Sequence, residues 1–152
     1  MEWELVERSR EETIIILLAR LVPSDRYLLL KQFRAGINQP VIALPAGCVG
    51  EGEDLRLQAV AELKEETGYR GKIVEMSPRL KINPAVMNCD VHVFEMEVNE
   101  DDPENAHPLQ ELEPEEEIEV ILKKREEVRG FLMEESRHGT AVDLACWFVF
   151  FN

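Results

Sequence analysis

Three glutamates in the middle of this 152-residue chain, Glu62, Glu65 and Glu66, stand at a spacing that can hold a cation. Residues three and four apart are neighbours on a helix. At about 100° per residue the three carboxylates fall within one arc of roughly 100°. Left alone, such a cluster repels itself and destabilises its own helix. A hard divalent cation such as Mg²⁺ turns the repulsion into binding, because it prefers carboxylate oxygens and is often completed by substrate phosphates. The bland alternative is a solvated acidic helix face, and the flanking residues weigh against it.

From Gly47 to Tyr69 the chain reads G-x5-E-x7-A-E-L-x-E-E-x-G-Y. This resembles the Nudix box, G-x5-E-x7-R-E-U-x-E-E-x-G-U, where U is a bulky apolar or aromatic residue. Gly47, Glu53, Glu62, Glu65, Glu66 and Gly68 stand at its fixed positions, and Leu63 and Tyr69 at its apolar ones. At about one chance match in fifteen per position, six together arise on the order of once in ten million starts. One fixed position departs, since Ala61 stands where the box has arginine.

The resemblance implies hydrolysis of a nucleoside diphosphate linked to another moiety. It implies that Glu62, Glu65 and Glu66 carry one or more Mg²⁺ or Mn²⁺ ions and that the backbone carbonyl of Gly47 is an extra ligand. The physics fits, because divalent ions neutralise phosphate charge, activate water and stabilise a leaving group. Glycine suits a backbone that must approach a metal closely. The family's arginine braces the glutamates by ion pairing, and Glu53 is another of its usual partners. Arg56 and Lys64 project about 140° or more from the centre of the carboxylate arc, so a replacement must come from elsewhere in the fold. Two readings stand side by side: an enzyme whose metal alone holds the carboxylates, and a catalytically weak domain that senses a nucleotide.

Further segments resemble the ADP-ribose and nucleotide-sugar pyrophosphatases within that family. Lys31 to Arg34 (KQFR) is similar to their R-Q-[YF]-R strand end, and Leu44 to Gly47 (LPAG) to the segment that precedes the box, although Ala43 replaces a glutamate found there. Pro84 lies fifteen residues past Tyr69, where this branch carries a proline. The resemblance covers roughly residues 13 to 123. It implies that Arg34 contacts the diphosphate or terminal ribose, a task suited to a guanidinium fork. A late-loop glutamate serves in this branch as base or extra ligand; of Glu115, Glu116 and Glu117, Glu116 is the candidate. Phe33 is a candidate for stacking on a base, and Pro84 for the substrate loop. The competing readings are a surface arginine for Arg34, a core aromatic for Phe33 and a solvated charge run for the three glutamates. The implied products are a nucleoside monophosphate and a sugar phosphate; another nucleoside di- or triphosphate is the alternative substrate. Members of this branch are commonly homodimers with an added N-terminal sheet, for which few residues precede Thr13. The hydrophobic hairpin and the last helix are the expected dimer surfaces.

The composition bounds the partners. With 17 Lys and Arg against 31 Asp and Glu, the net charge is −14. Nucleic-acid phosphates and anionic lipid both require a basic surface, so neither is an expected partner. Cys48, Cys89 and Cys146 have no metal-ligand spacing and are read as thiols of a reducing, cytoplasmic compartment. Glu2, Glu4, Glu7 and Arg8 interrupt any apolar leader.

The elements that must position these groups follow from the pattern. Strands are expected at Thr13 to Arg20, Tyr27 to Phe33, Val41 to Leu44, Lys72 to Met76, Val91 to Val98 and Ile118 to Leu122. A helix is expected from about Asp54 to Thr67, with Asp54 as N-cap, Gly68 at the left-handed end position, and Leu55, Ala59, Val60 and Leu63 as its apolar arc. Asn99 to Glu117 is an acidic, proline-bearing loop, flexible or partly disordered. Helices are expected at Glu126 to Glu135 and Thr140 to Phe150, the latter apolar nearly all round and therefore buried in the domain or between subunits. The whole, residues 1–152, reads as one domain, a mixed α/β sandwich. The Nudix resemblance implies the same α/β/α architecture, with a mixed sheet between helices.

Overall fold

A computed structural model of the chain describes residues 4–7 and 12–151. Glu2 and Arg8, invoked above, lie outside the described residues. The centre of the fold is β1 (Glu12–Val22). Ile15, Leu17, Ala19 and Leu21 alternate into one core at 0–1% exposure, while Ile16 and Leu18 pack into a second core on the other face. A strand covered on both faces reads as a continuous apolar run, as TIIILLAR does.

One edge of β1 runs parallel to β7 (Asp90–Asn99) along its whole length. The other edge is shared. Near the chain turn it pairs with β2 (Arg26–Arg34) over only two positions, Arg20 opposite Tyr27 and Leu21 opposite Arg26. Towards its start it pairs with β4 (Ala46–Gly50). Beyond Tyr27 the inner edge of β2 turns to β3 (Gln39–Ala43), and its outer edge carries β8 (Ile118–Lys124). The sheet therefore forks between β1 with β4 and β2 with β3. Mixed pairing continues at the margins, where β5 (Lys72–Met76) and β6 (Leu80–Lys81) lie antiparallel to β7, and β9 (Ala141–Val142) lies parallel to β3.

Helix α1 (Leu55–Thr67) covers one face, with Ala59 and Leu63 at 0% exposure against Ile15, Leu17 and Phe94. Helices α2 (Arg125–Arg137) and α3 (Leu144–Val149) cover the other, burying Val128, Leu132 and Cys146 against Leu29 and Ile42. The result is the expected α/β/α sandwich with a mixed sheet.

Asp54 caps α1 as expected, accepting from the Arg56 and Leu57 N–H groups at 2.8 and 3.1 Å. Gly68 ends it at φ +77° and donates its N–H to the Lys64 carbonyl. Val60, expected on the apolar arc, is 38% exposed, whereas Glu66 and Thr67 are buried. The expected helix from Thr140 to Phe150 is corrected. Ala141 and Val142 are drawn into the sheet beside β3, and Asp143 then caps a single short helix by accepting from Ala145 and Cys146 N–H. Within the single chain that helix is not buried all round, since Leu144 and Phe148 are 63% and 65% exposed. The segment Ala46 to Gly50, to which no strand was assigned from the sequence, is β4; pairing with β1 overrides its glycines.

Candidate active site

The carboxylates sit at the fork. Leu63 and Ala59 bury one side of α1, and residues one before Leu63 and three after it flank that buried seam. Glu62 and Glu66 therefore turn towards β4, Glu66 only 5% exposed. Glu65 lies on the exposed side of the helix, at the rim. The fork opens a cleft of about 420 Å³ lined by Glu62, Glu66 and Glu116 together with Gln32, Arg34 and the Ala46–Gly47–Cys48 run.

Gly47 is in close approach to a carboxylate. A Cβ built on it would stand 2.4 Å from Glu62 Cδ and 2.5 Å from Glu62 Oε2. A side chain here would push the Glu62 carboxylate out of its present position. One residue earlier, the Ala46 N–H donates to Glu66 Oε2 at 3.0 Å. Strand β4 thus holds Glu66 through a backbone N–H and lies close against Glu62 at Gly47.

The two inner carboxyls are strongly perturbed. Glu66 is pushed up to about 8, first by burial and then by the charge of Glu62, with Glu116 adding to the rise and the Ala46 N–H and Arg34 opposing it. Glu62 is pushed up to about 7 by burial, then by Glu65, Glu116 and Glu113. Acidic groups crowded in a desolvated cleft hold protons at a pH where free carboxylates have none. The same crowding marks a place that a cation would stabilise.

Of the three late glutamates, Glu116 alone lines the cleft, while Glu115 and Glu117 are exposed. A small turn aims it, with the Glu116 N–H donating to the Glu113 carbonyl and the Glu113 N–H donating to Glu116 Oε2. Arg34 lines the cleft from the end of β2, and its charge lowers the Glu66 pKa, though no ion pair joins them among the described residues. Arg34 on β2 is thus the cation that lines this cleft. Lys64 is engaged with Glu111, away from the cleft, and Glu53 has a backbone partner instead of an arginine, accepting the Gly50 N–H at 2.8 Å.

Phe33 and Pro84 are not brought into this cleft. Phe33 stands between Gln32 and Arg34 on a regular strand, so it faces the other way, and it is 56% exposed rather than in the core. Pro84 is exposed on a turn. Sequence reasoning missed Gln32, although its two-residue offset from Arg34 puts both on one strand face. It also missed Ile14 and Ala46, which, with Arg34, line an adjoining apolar cleft of about 600 Å³ that extends past Ala43, Val142 and Asp143.

Residues 11–143 match the NUDIX domain family model. The chain belongs to the Nudix family. It is 34% identical over 113 residues to an ADP-sugar pyrophosphatase of Mus musculus, covering 70% of this chain and 52% of that protein. It is 43% identical over 97 residues to an ADP-ribose pyrophosphatase of Saccharomyces cerevisiae, covering 64% and 42%. An uncharacterised Nudix hydrolase of Schizosaccharomyces pombe is 31% identical over 148 residues, covering 93% and 72%. The chain spans about half the length of the first two.

Nudix hydrolases generally use divalent metal ions. No group of three or more His, Cys, Asp or Glu side chains among the described residues forms a ready cage for one. The donor chemistry nonetheless fits a hard divalent ion: two desolvated carboxylates in the cleft, a third at the rim, and a glycine backbone against one of them. Mg²⁺ takes one or two carboxylates plus water and substrate phosphate in preference to an all-protein cage.

Proposed function

We propose that this Nudix domain hydrolyses the pyrophosphate bond of ADP-ribose or a similar nucleoside-diphosphate sugar, yielding a nucleoside monophosphate and a sugar phosphate. The observation that carries the reading is one cleft lined by Glu62, Glu66, Glu116 and Arg34. Mg²⁺ or Mn²⁺ would be held by Glu62, Glu65, Glu66 and the Gly47 carbonyl, and when bound it supplies charge neutralisation and an acidified water.

In the reaction one water is consumed. Its oxygen bonds to one phosphorus, the bridging P–O bond breaks, and the bridging oxygen leaves on the other product. Glu116, which has its own approach to the cleft, is assigned the water proton as general base. Arg34 is assigned the diphosphate oxygens, and its position beside the carboxylates gives an otherwise acidic cleft one group that attracts an anion. The adjoining apolar cleft is assigned the base or the sugar, since such pockets take ring systems by burial with a few polar contacts. The relatives named for ADP-ribose and ADP-sugars support this substrate class over triphosphates. The same reading has the protein acting in the cytoplasm as a homodimer.

Ala61 favours a second reading, a catalytically weak domain that senses a nucleotide. A metal-dependent hydrolysis panel of ADP-ribose, nucleotide sugars, dinucleoside polyphosphates and nucleoside triphosphates separates the two, run on wild type, Glu65→Gln and Ala61→Arg. Turnover of ADP-ribose that Glu65→Gln abolishes supports the enzyme. Binding without turnover in wild type, with activity gained in Ala61→Arg, supports the sensor. Activity restricted to triphosphates sinks the ADP-ribose assignment.

A further inference from the structure

The segment that carries Glu116 is tied to the helix that carries the other glutamates. The last four carbonyls of a helix have no partner within it. In α1 two of them are taken by this segment: the Glu111 N–H donates to the Glu65 carbonyl at 2.8 Å, and Gln110 Nε2 donates to the Glu66 carbonyl at 2.6 Å. The same Gln110 amide nitrogen donates to the Ile118 carbonyl at 3.0 Å. A single side chain therefore joins the backbone of Glu66 to the first residue of β8, two residues beyond Glu116. Gly68 makes the approach possible, because a Cβ there would stand 2.4 Å from Leu109 N and 2.6 Å from the Pro108 carbonyl carbon. The Lys64–Glu111 ion pair adds to the seam. At its start the segment is fixed by buried Asn105, whose amide donates to the Arg70 and Asn99 carbonyls and accepts the Arg70 N–H.

We propose that Gln110 is a positioning residue that sets Glu116 against the Glu62–Glu66 pair by clamping the ends of its loop to α1 and β8. An amide suits this place because both contacts are carbonyl oxygens and Nε2 has two hydrogens to give. Glutamate in its place sets an acceptor against two acceptors, and leucine keeps the bulk without the bonds. The inference rests on the reading that Glu116 works at the metal site.

Paramagnetic broadening by Mn²⁺ tests it without substrate. In wild type, amide signals of residues 113–117 broaden together with those of residues 62–66. In Gln110→Leu and Gln110→Glu the α1 signals still broaden, which also shows that the fold and the metal site survive, while residues 113–117 are spared. Equal broadening of the loop in wild type and both variants overturns the proposal. Broadening of α1 but not the loop in wild type overturns the reading of Glu116, and the proposal with it. A turnover cycle on ADP-ribose with Mg²⁺ gives the second readout. Gln110→Leu lowers kcat at least about tenfold with KM within about twofold, and costs nothing further in a Glu116→Gln background. Independent, multiplicative losses contradict a role through Glu116; an unimpaired Glu116→Gln locates the failure in the assignment of Glu116 itself.

Discussion

Glu62 and Glu66 hold protons near neutral pH because burial acts on both, with repulsion from Glu65, Glu116 and Glu113 added on Glu62 and from Glu62 and Glu116 on Glu66. The sign of the consequence is fixed by linkage. Between about 4.5, the ordinary value, and about 8, the folded protein binds protons that the unfolded chain has released, so stability falls as pH rises through that window and levels above it. The melting temperature of the metal-free protein is expected to fall between pH 5 and pH 8.5 and the fall to flatten in Glu66→Gln, read by thermal denaturation in a chelating buffer. Divalent ions require the deprotonated pair, so the rise in melting temperature on adding Mg²⁺ grows across the same window. A melting curve that rises towards pH 8.5 without metal would contradict the crowding. Gly47→Ala tests the same cluster sterically. The added methyl displaces the Glu62 carboxylate, and Mg²⁺ affinity drops about tenfold or more, measured by calorimetry.

At the scale of elements, α1 does two jobs with two sides. Leu63 and Ala59 seat it on the sheet, and that seating turns Glu62 and Glu66 to the fork. Leu63→Ala leaves a cavity in the core beneath the helix and is expected to cost about 2–5 kcal/mol in chemical denaturation. Gly68→Ala combines a left-handed backbone with a collision against Leu109. It is expected to destabilise by about 1 kcal/mol or more and to speed hydrogen exchange at the Glu111 amide, which would otherwise stay bonded to α1.

These elements also show what the chain declares about itself. The α1 boundaries were legible because Asp54 and Gly68 are local signals, and the glutamates because helical spacing is local too. β4 was not legible, since Ala46–Gly47–Cys48–Val49–Gly50 has little strand character and is held by the distant β1 ladder. The last helix was misread because Ala141 and Val142 fit either pattern until β3 claims them. Glu116 was singled out from its two neighbours by resemblance alone; the structure puts it, and not Glu115 or Glu117, on the cleft, in a turn with Glu113. That Arg34 acts on Glu66 is a tertiary fact, created where β2 parts from β1, and no spacing in the sequence records it.

On the scale of the whole molecule, the forked sheet brings groups from four separate places in the chain to one cleft: Arg34 on β2, Gly47 on β4, Glu62 and Glu66 on α1, and Glu116 before β8. A net charge of −14 surrounds it. An anionic substrate is therefore repelled at long range and attracted only locally, so raising ionic strength with a neutral-site salt at fixed Mg²⁺ is expected to lower KM for a diphosphate until screening of Arg34 sets in. The proposed reaction is cleavage of a nucleoside-diphosphate sugar in this cleft when it is loaded with a divalent ion. Following ADP-ribose by ³¹P NMR in the presence of Mg²⁺, with wild type and Glu65→Gln in parallel, tests it most directly. AMP and ribose 5-phosphate are expected from wild type, with their disappearance on adding a chelator and a loss of at least about a hundredfold in the variant. Cleavage indifferent to both the chelator and the substitution, or an intact diphosphate with wild type, would contradict it.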